Sequence, residues 1–241
     1  MPKLDNFDTQ NHYNFSGVNV DDLGASEYTL ATIVNDCSSS VSNWKSEMEK
    51  CLQTILGACK HSPRAENLMI RLMQFNTHVS ELHGFQILSS IDPSDYDGIL
   101  KVGGATALFD ATHDSIDATL DYCKSLDDVG IIANAIIFVV TDGDDNSSSR
   151  PADHVKDIID KAMRDEVLES IKIVLIGVTN GDAYIQKFLD NFQKGAGISQ
   201  YIDIGNADDK SLAKVAEFVS QSISSTSQSL GTGAASASLS F

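Results

Sequence analysis

The sequence predicts an α/β protein: a doubly wound, mostly parallel central sheet with one antiparallel edge strand and helices on both faces. Three observations carry this expectation. Short runs of consecutive apolar, β-branched residues alternate along the chain with longer segments whose apolar residues recur every three or four positions. The clearest of these runs, such as 136–140, are consecutive apolar residues, as strands buried on both faces require. Several of them end abruptly in acidic or hydroxyl-bearing loops, which suit the carboxyl edge of a parallel sheet better than they suit a core.

Each element has its own warrant. Residues 1–24 are polar, rich in Asn and Asp and without periodicity, and read as an extended N-terminal arm. "YTLATIV" (28–34) is the first buried strand. Val41, Trp44, Met48, Cys51, Leu52, Ile55, Leu56 and Cys59 then form the stripe of an amphipathic helix, which Pro63 stops. "NLMIRLMQF" (67–75) and "VSELHGFQIL" (79–88) read as a hairpin around Asn76 and Thr77 and supply the antiparallel edge. The loop "SSIDPSDYDGILKVGGAT" leads into a helix from about Ala107 to Lys124, followed by a strand centred on 136–140 and a helix from about Ala152 to Asp165. "IKIVLIGV" (171–178) is the clearest buried strand. A helix around Tyr184–Phe192, a short strand at 201–205 and a last helix from Lys210 to about Ser224 complete the pattern. From Ser225 the chain is Ser-, Ala- and Gly-rich and reads as a flexible tail or a docking strand. The expected domain therefore spans residues 25–224, with an arm before it and a tail after it.

Charge narrows the partners. The chain has 241 residues, with 17 Lys and Arg against 34 Asp and Glu, a formal net charge of −17. With no Lys/Arg cluster, nucleic acid is not an expected partner, and an anionic membrane surface is equally disfavoured. Cations are attracted. The four cysteines, Cys37, Cys51, Cys59 and Cys123, form no CxxC pair and have no zinc spacing, and three fall on apolar helical positions, as buried free thiols do. No signal peptide and no apolar stretch of bilayer length is evident, so the expected location is the cytoplasm, with incorporation into a virion or similar particle left open. The oligomeric state is not legible.

Three loops carry oxygen-bearing residues in excess of structural need. Asp36, Ser38 and Ser40 follow the first strand, Thr106 follows the Gly103–Gly104 pair, and Asp142 follows "IIFVV". Loops at carboxyl ends of parallel strands share one edge of the sheet, so the five side chains can converge. Two carboxylates and three hydroxyls make a hard, all-oxygen set that suits Mg²⁺, with Mn²⁺ or Ca²⁺ as substitutes, and suits zinc or copper poorly. For the first loop alone, helix capping by Asp36 or Ser39 accounts for the residues equally well.

DCSSS at 36–40, GGAT at 103–106 and TDG at 141–143, in that order and after the right elements, resemble the metal-ion-dependent adhesion site (MIDAS) of von Willebrand factor A (vWA) domains. Within that family the chain is similar to small intracellular bacterial and phage proteins of the tellurium-resistance type. The resemblance implies that Ser38 and Ser40 bind the metal through their hydroxyls, Thr106 directly or through water, and Asp36 and Asp142 chiefly through water. One coordination position is then left for an Asp or Glu carboxylate of a partner protein. It also implies a threonine loop that can shift and so couple ligand binding to the last helix. VSN after Ser40 gives no support for an accessory calcium site. Asp144 and Asp145 read as solvated loop acids.

The expected protein is a metal-dependent binding module and not an enzyme. A structural particle subunit that uses the site as a static contact is the first alternative. A metal-dependent phosphohydrolase presenting Asp142 and Asp144 as D-x-D is the second, but Asn146 departs from that motif and the other site residues would have no role. Neither a GxxxxGK[ST] phosphate loop nor a GxSxG elbow is present.

Overall fold

The computed structural model describes residues 4–9, 13–165, 167–230 and 239–241. In chain order its regular elements are β1 (Leu4–Asp8), β2 (Asn14–Val18), β3 (Glu27–Asp36), α1 (Lys45–Lys60), β4 (Leu68–Phe75), β5 (Val79–Ile87), α2 (Leu108–Asp127), β6 (Ile132–Thr141), α3 (Ala152–Arg164), β7 (Ile171–Gly177), α4 (Ala183–Ala196), β8 (Gln200–Asp203) and α5 (Asp209–Ser229), with short 3₁₀ turns between some of them. The strands form one sheet in the order β1-β2-β5-β4-β3-β6-β7-β8. Strands β4, β3, β6, β7 and β8 run parallel, and β5 is antiparallel to β4. The α/β architecture is thus the one expected.

Alternation along the central strands splits the core in two. On β3, Ala31 and Ile33 face α1 and α5, whereas Leu30 and Val34 face α2 and its neighbours. Fully buried aliphatic and aromatic side chains such as Ile33, Phe138 and Leu175 each contribute roughly 1.5–3 kcal/mol by leaving water. The helical stripe predicted for α1 is the one observed, with Met48, Cys51, Leu52, Ile55, Leu56 and Cys59 all buried. The four cysteines are free and buried.

The N-terminal segment expected to be an extended arm is instead built into the sheet. β1 and β2 pair antiparallel, and β2 joins β5 in parallel register at Gly17 and Phe85. Its seat is aromatic: Phe7 stacks on Phe15 (5.1 Å between centroids), Phe15 meets Phe85 edge-on, Phe85 stacks on Tyr122 (4.7 Å), and the Tyr122 hydroxyl donates to Val18 O (2.8 Å). Beneath these rings lies the fully buried Arg71, whose Nε donates to Glu81 Oε2 (2.7 Å). The other oxygen of Glu81 accepts from the backbone N–H and the hydroxyl of Ser16 (2.8 and 2.6 Å). Few apolar residues hold the hairpin, and they pack against residues of β4, β5 and α2 that are remote in sequence, so no local periodicity announced it.

The C-terminal boundary also moves. α5 continues five residues beyond Ser224, because small polar residues at Ser222, Thr226 and Ser227 fit the buried side of the helix, and Asn134 Nδ2 donates to Thr226 O (2.7 Å). Of the expected flexible tail, 231–238 lie outside the described residues. Leu239 packs against the core and accepts a hydrogen bond on its carbonyl from Gln200 Nε2 (2.9 Å).

Candidate metal site

From β3 the chain proceeds outward to β4 and β5, and from β6 outward in the other direction, so the order of strands reverses between β3 and β6. The splayed loops at such a switch point leave a crevice at the carboxyl edge. Asp36 is the last residue of β3, and Thr141 is the last of β6. The structure therefore brings the first and third predicted loops side by side.

Three of the five predicted side chains, Ser38, Ser40 and Asp142, touch oxygen to oxygen in a row, and Asp36 joins them through the Ser38 backbone amide. Asp36 is buried, its Oδ1 accepting from the backbone N–H of Ser38 (2.8 Å) and its Oδ2 from the Thr141 hydroxyl (2.6 Å). The hydroxyls of Ser38 and Ser40 lie 2.9 Å apart, and Ser40 Oγ donates to Asp142 Oδ1 (2.8 Å). Thr106 is buried beside the third loop, and a Cβ added to Gly143 would stand 3.8 Å from its hydroxyl. The three loops thus meet at this edge: Ser38, Ser40 and Asp142 are hydrogen-bonded directly, Asp36 through the Ser38 amide, and Thr106 lies near Gly143.

The capping alternative for the first loop is not what the structure shows. α1 begins at Lys45 after Trp44 with no side-chain cap, and the Ser39 hydroxyl donates to Gly104 O (3.0 Å). Gly104 has φ of 87°, and a Cβ there would fall 2.6 Å from Thr77 Oγ1, so both its conformation and its packing require glycine.

Electrostatics bear on whether a cation fits. Burial pushes the Asp36 carboxyl up to about 6 despite the hydrogen bonds from Thr141 and Ser38, and Asp142 nearby raises it further. Asp142 is raised too, chiefly by burial, while hydrogen bonds from Ser40 and Trp44 act in the other direction. No Lys or Arg is among the groups that shift either carboxylate. Two carboxylates held together in a largely buried setting, with neutral hydroxyls between them, fit a hard divalent cation. Among the described residues no three His, Cys, Asp or Glu side chains gather as a metal cluster. A site of this composition has only two carboxylates and takes its other donors from hydroxyls.

Several residues with no part in the site as read from sequence support the arrangement. Thr141 and Trp44 hold the two carboxylates. Asp145, expected to be solvated, accepts from the Phe109 backbone N–H (3.2 Å), and Ser148 Oγ accepts from Asp110 N–H (3.0 Å), so the third loop caps α2. Asp144 accepts from the Tyr184 hydroxyl (3.0 Å). A signal for this capping was present: α2 begins "ALFD" with no Ser, Thr, Asp or Asn at its N-cap.

No family model matches the sequence, and no curated protein matches it. Solved structures do share the fold. The pilus adhesin SpaC from Lactobacillus rhamnosus GG aligns with 93% of this chain and 33% of its own (11% identity, TM-score 0.60). The PilB minor pilin from Streptococcus sanguinis aligns with 86% of this chain and 64% of its own (14% identity, TM-score 0.58). Proximal thread matrix protein 1 from the mussel byssus, in a structure described as having a zinc-occupied MIDAS motif, aligns with 83% of this chain and 46% of its own (16% identity, TM-score 0.53). The chain spans less than two thirds of the length of each of these proteins. At such identities the likeness is one of fold, an α/β architecture of the vWA/Rossmann kind. Among the described residues no helix is long and apolar enough to cross a membrane.

Proposed function

We propose that this protein is a divalent-metal-dependent protein-binding module, and that Asp36, Ser38, Ser40, Thr106 and Asp142 hold the ion. The observation that carries the reading is the row of oxygen contacts Ser38–Ser40–Asp142 at the sheet's switch point, with Asp36 bound to the Ser38 amide and Thr106 close to Gly143. When bound, Mg²⁺ would supply a Lewis-acidic position able to accept a carboxylate from an Asp or Glu of another protein. The chain's own residues do the rest: Thr141 and the Ser38 amide orient Asp36, Ser40 and Trp44 orient Asp142, and the neutral hydroxyls leave the ion electrophilic.

A hydrolytic role has less support. Asp144, which a D-x-D phosphatase would need as its proton donor, is engaged by Tyr184. We propose a non-enzymatic role on that ground. Subfamily and location belong to the same proposal: the small intracellular tellurium-resistance-type proteins on one side, surface proteins such as pilins and adhesins on the other. Fractionation of the host cells with an antibody to the chain separates these two.

The central test is calorimetry with Mg²⁺ and Mn²⁺ on the wild type and on Asp36→Ala, with a generic phosphate ester assayed in parallel. One ion bound by the wild type, none by the variant and no turnover is the expected result. Binding that survives Asp36→Ala together with phosphate release would overturn the reading in favour of a hydrolase.

A further inference from the structure

The loop bearing Thr106 is held from three sides. From the third site loop, Asn146 Oδ1 accepts from Thr106 N–H (2.8 Å), while the backbone N–H groups of Asn146 and Ser147 both donate to Thr106 O (3.0 and 3.1 Å). From the β4–β5 turn, Thr77 Oγ1 accepts from Ala105 N–H (3.0 Å), and Asn76 O accepts from Ala107 N–H (2.7 Å). From the first site loop, Cys37 O accepts from Gly103 N–H (2.8 Å), and Ser39 donates to Gly104 O through both its amide and its hydroxyl (3.1 and 3.0 Å). The Thr106 peptide therefore has both its N–H and its C=O engaged by one short segment, Asn146–Ser147, whose neighbours Asp145 and Ser148 also cap α2.

We infer that Asn146 is the positioning residue for Thr106, and that its side chain locks the threonine loop onto the Asp142 loop before any metal arrives, which makes this a preformed, static binding site. The inference rests on the metal-site reading above and goes beyond it. It replaces a shifting threonine loop with a fixed one and so favours a constitutive contact over a conformational switch. The physical reason is the cost of release. Moving Thr106 outward would break the bonds that Asn146 and Ser147 make to both its N–H and its C=O at once, on top of the bonds from the other two loops. The hydrogen bonds of Asn146 to Thr106 go to its backbone and not to its hydroxyl, so its effect on metal affinity is indirect.

The test joins hydrogen exchange with metal titration. In the metal-free wild type, the amides of Gly103, Ala105, Thr106 and Ala107 should already be protected, and Mn²⁺ should leave their exchange unchanged. Asn146→Ala should speed exchange at Thr106 and weaken Mn²⁺ binding about tenfold or more, while Asn146→Asp, which keeps the acceptor, should bind at least as tightly as wild type. Fast exchange of these amides in EDTA that slows on adding Mn²⁺ overturns the inference without using any variant, and so does wild-type affinity in Asn146→Ala. Protected amides in a wild type that binds no Mn²⁺ overturn the metal reading itself, and the positioning role with it. The two failures are thus separable.

Discussion

Asp36 sits in a conflict that sets the chemistry of the site. Its folded-state carboxyl is raised to about 6 from an ordinary value near 3.8, chiefly by burial. A raised acid favours the folded state while protonated, so this contribution is fully present below the ordinary value and is lost as pH climbs through about 6. The metal-free protein should therefore be less stable at pH 7.5 than at pH 5 as far as this group is concerned, and Asp142 adds to the effect in the same direction. Asp36→Asn removes the charge while keeping an acceptor for Ser38. We expect it to raise metal-free stability at pH 7.5 by about 1–3 kcal/mol, read as a shift of the urea midpoint in EDTA, while abolishing metal binding. An unchanged or lower midpoint would show that the carboxylate is not strained by burial. The same raised value makes protons compete with the ion. Mg²⁺ affinity measured by calorimetry should fall as pH drops below about 6, by up to about tenfold per unit for a single competing proton. A pH-independent affinity between 5 and 7.5 would remove Asp36 from the ligand set.

The hairpin β1–β2 is the element that most depends on its surroundings. Gly84 lies directly under it, and a Cβ there would fall 1.9 Å from Ser16 O, a backbone atom that cannot swing aside. Gly84→Ala should unseat β2 from β5, with a loss of roughly 1–3 kcal/mol and faster amide exchange across Asn14–Val18, while β3 and β6 keep their protection. Protection retained at Asn14–Val18 would mean that the hairpin adjusts. The charge beneath the hairpin is a second dependence. Arg71 is fully buried and Glu81 is its carboxylate partner, so Glu81→Ala leaves an uncompensated buried guanidinium as well as unpaired Ser16 donors. The expected loss is about 3 kcal/mol in chemical denaturation. A loss under about 1 kcal/mol would mean that the three aromatic rings around Arg71 are enough to accommodate it.

At the scale of the molecule, the site joins loops that follow different strands. Asp36 to Ser40 come after β3, Thr106 comes before α2, and Asp142 to Ser148 come after β6. An ion bound among them should stabilise the whole fold, because only the folded chain holds the oxygens together. At a free Mg²⁺ concentration one hundred times its dissociation constant the gain should be about 2.7 kcal/mol, visible as a rise in the melting temperature that EDTA reverses. A melting temperature indifferent to Mg²⁺, Mn²⁺ and Ca²⁺ would contradict a resident cation at this edge. With a net charge of −17, nonspecific cation binding is expected as well, and Asp142→Asn separates the two by leaving only the nonspecific part.

Much of this was legible in the chain. The strands at 28–34, 136–140 and 171–178 are apolar runs long enough to be read directly. The three site loops show themselves because Asp36, Ser38, Ser40, Thr106 and Asp142 have no place in a core. Local pattern is sufficient for such features because strand burial and turn chemistry are properties of neighbouring residues. What lay between distant segments was not legible. Phe7 and Phe15 commit the N-terminus to the sheet only through Phe85 and Tyr122, and the serines after Ser224 remain helical only because Asn134 and the buried face of α5 receive them. Asp145 became a cap for a helix that begins nearly forty residues before it. Each of these outcomes turns on hydrogen bonds and ring contacts between residues remote in sequence. The chain alone singled out the five oxygen-bearing residues of the proposed site, and tertiary structure decided that Ser38, Ser40 and Asp142 touch in a row, that Asp36 joins them through the Ser38 amide, and that the loop carrying Thr106 is bound on three sides.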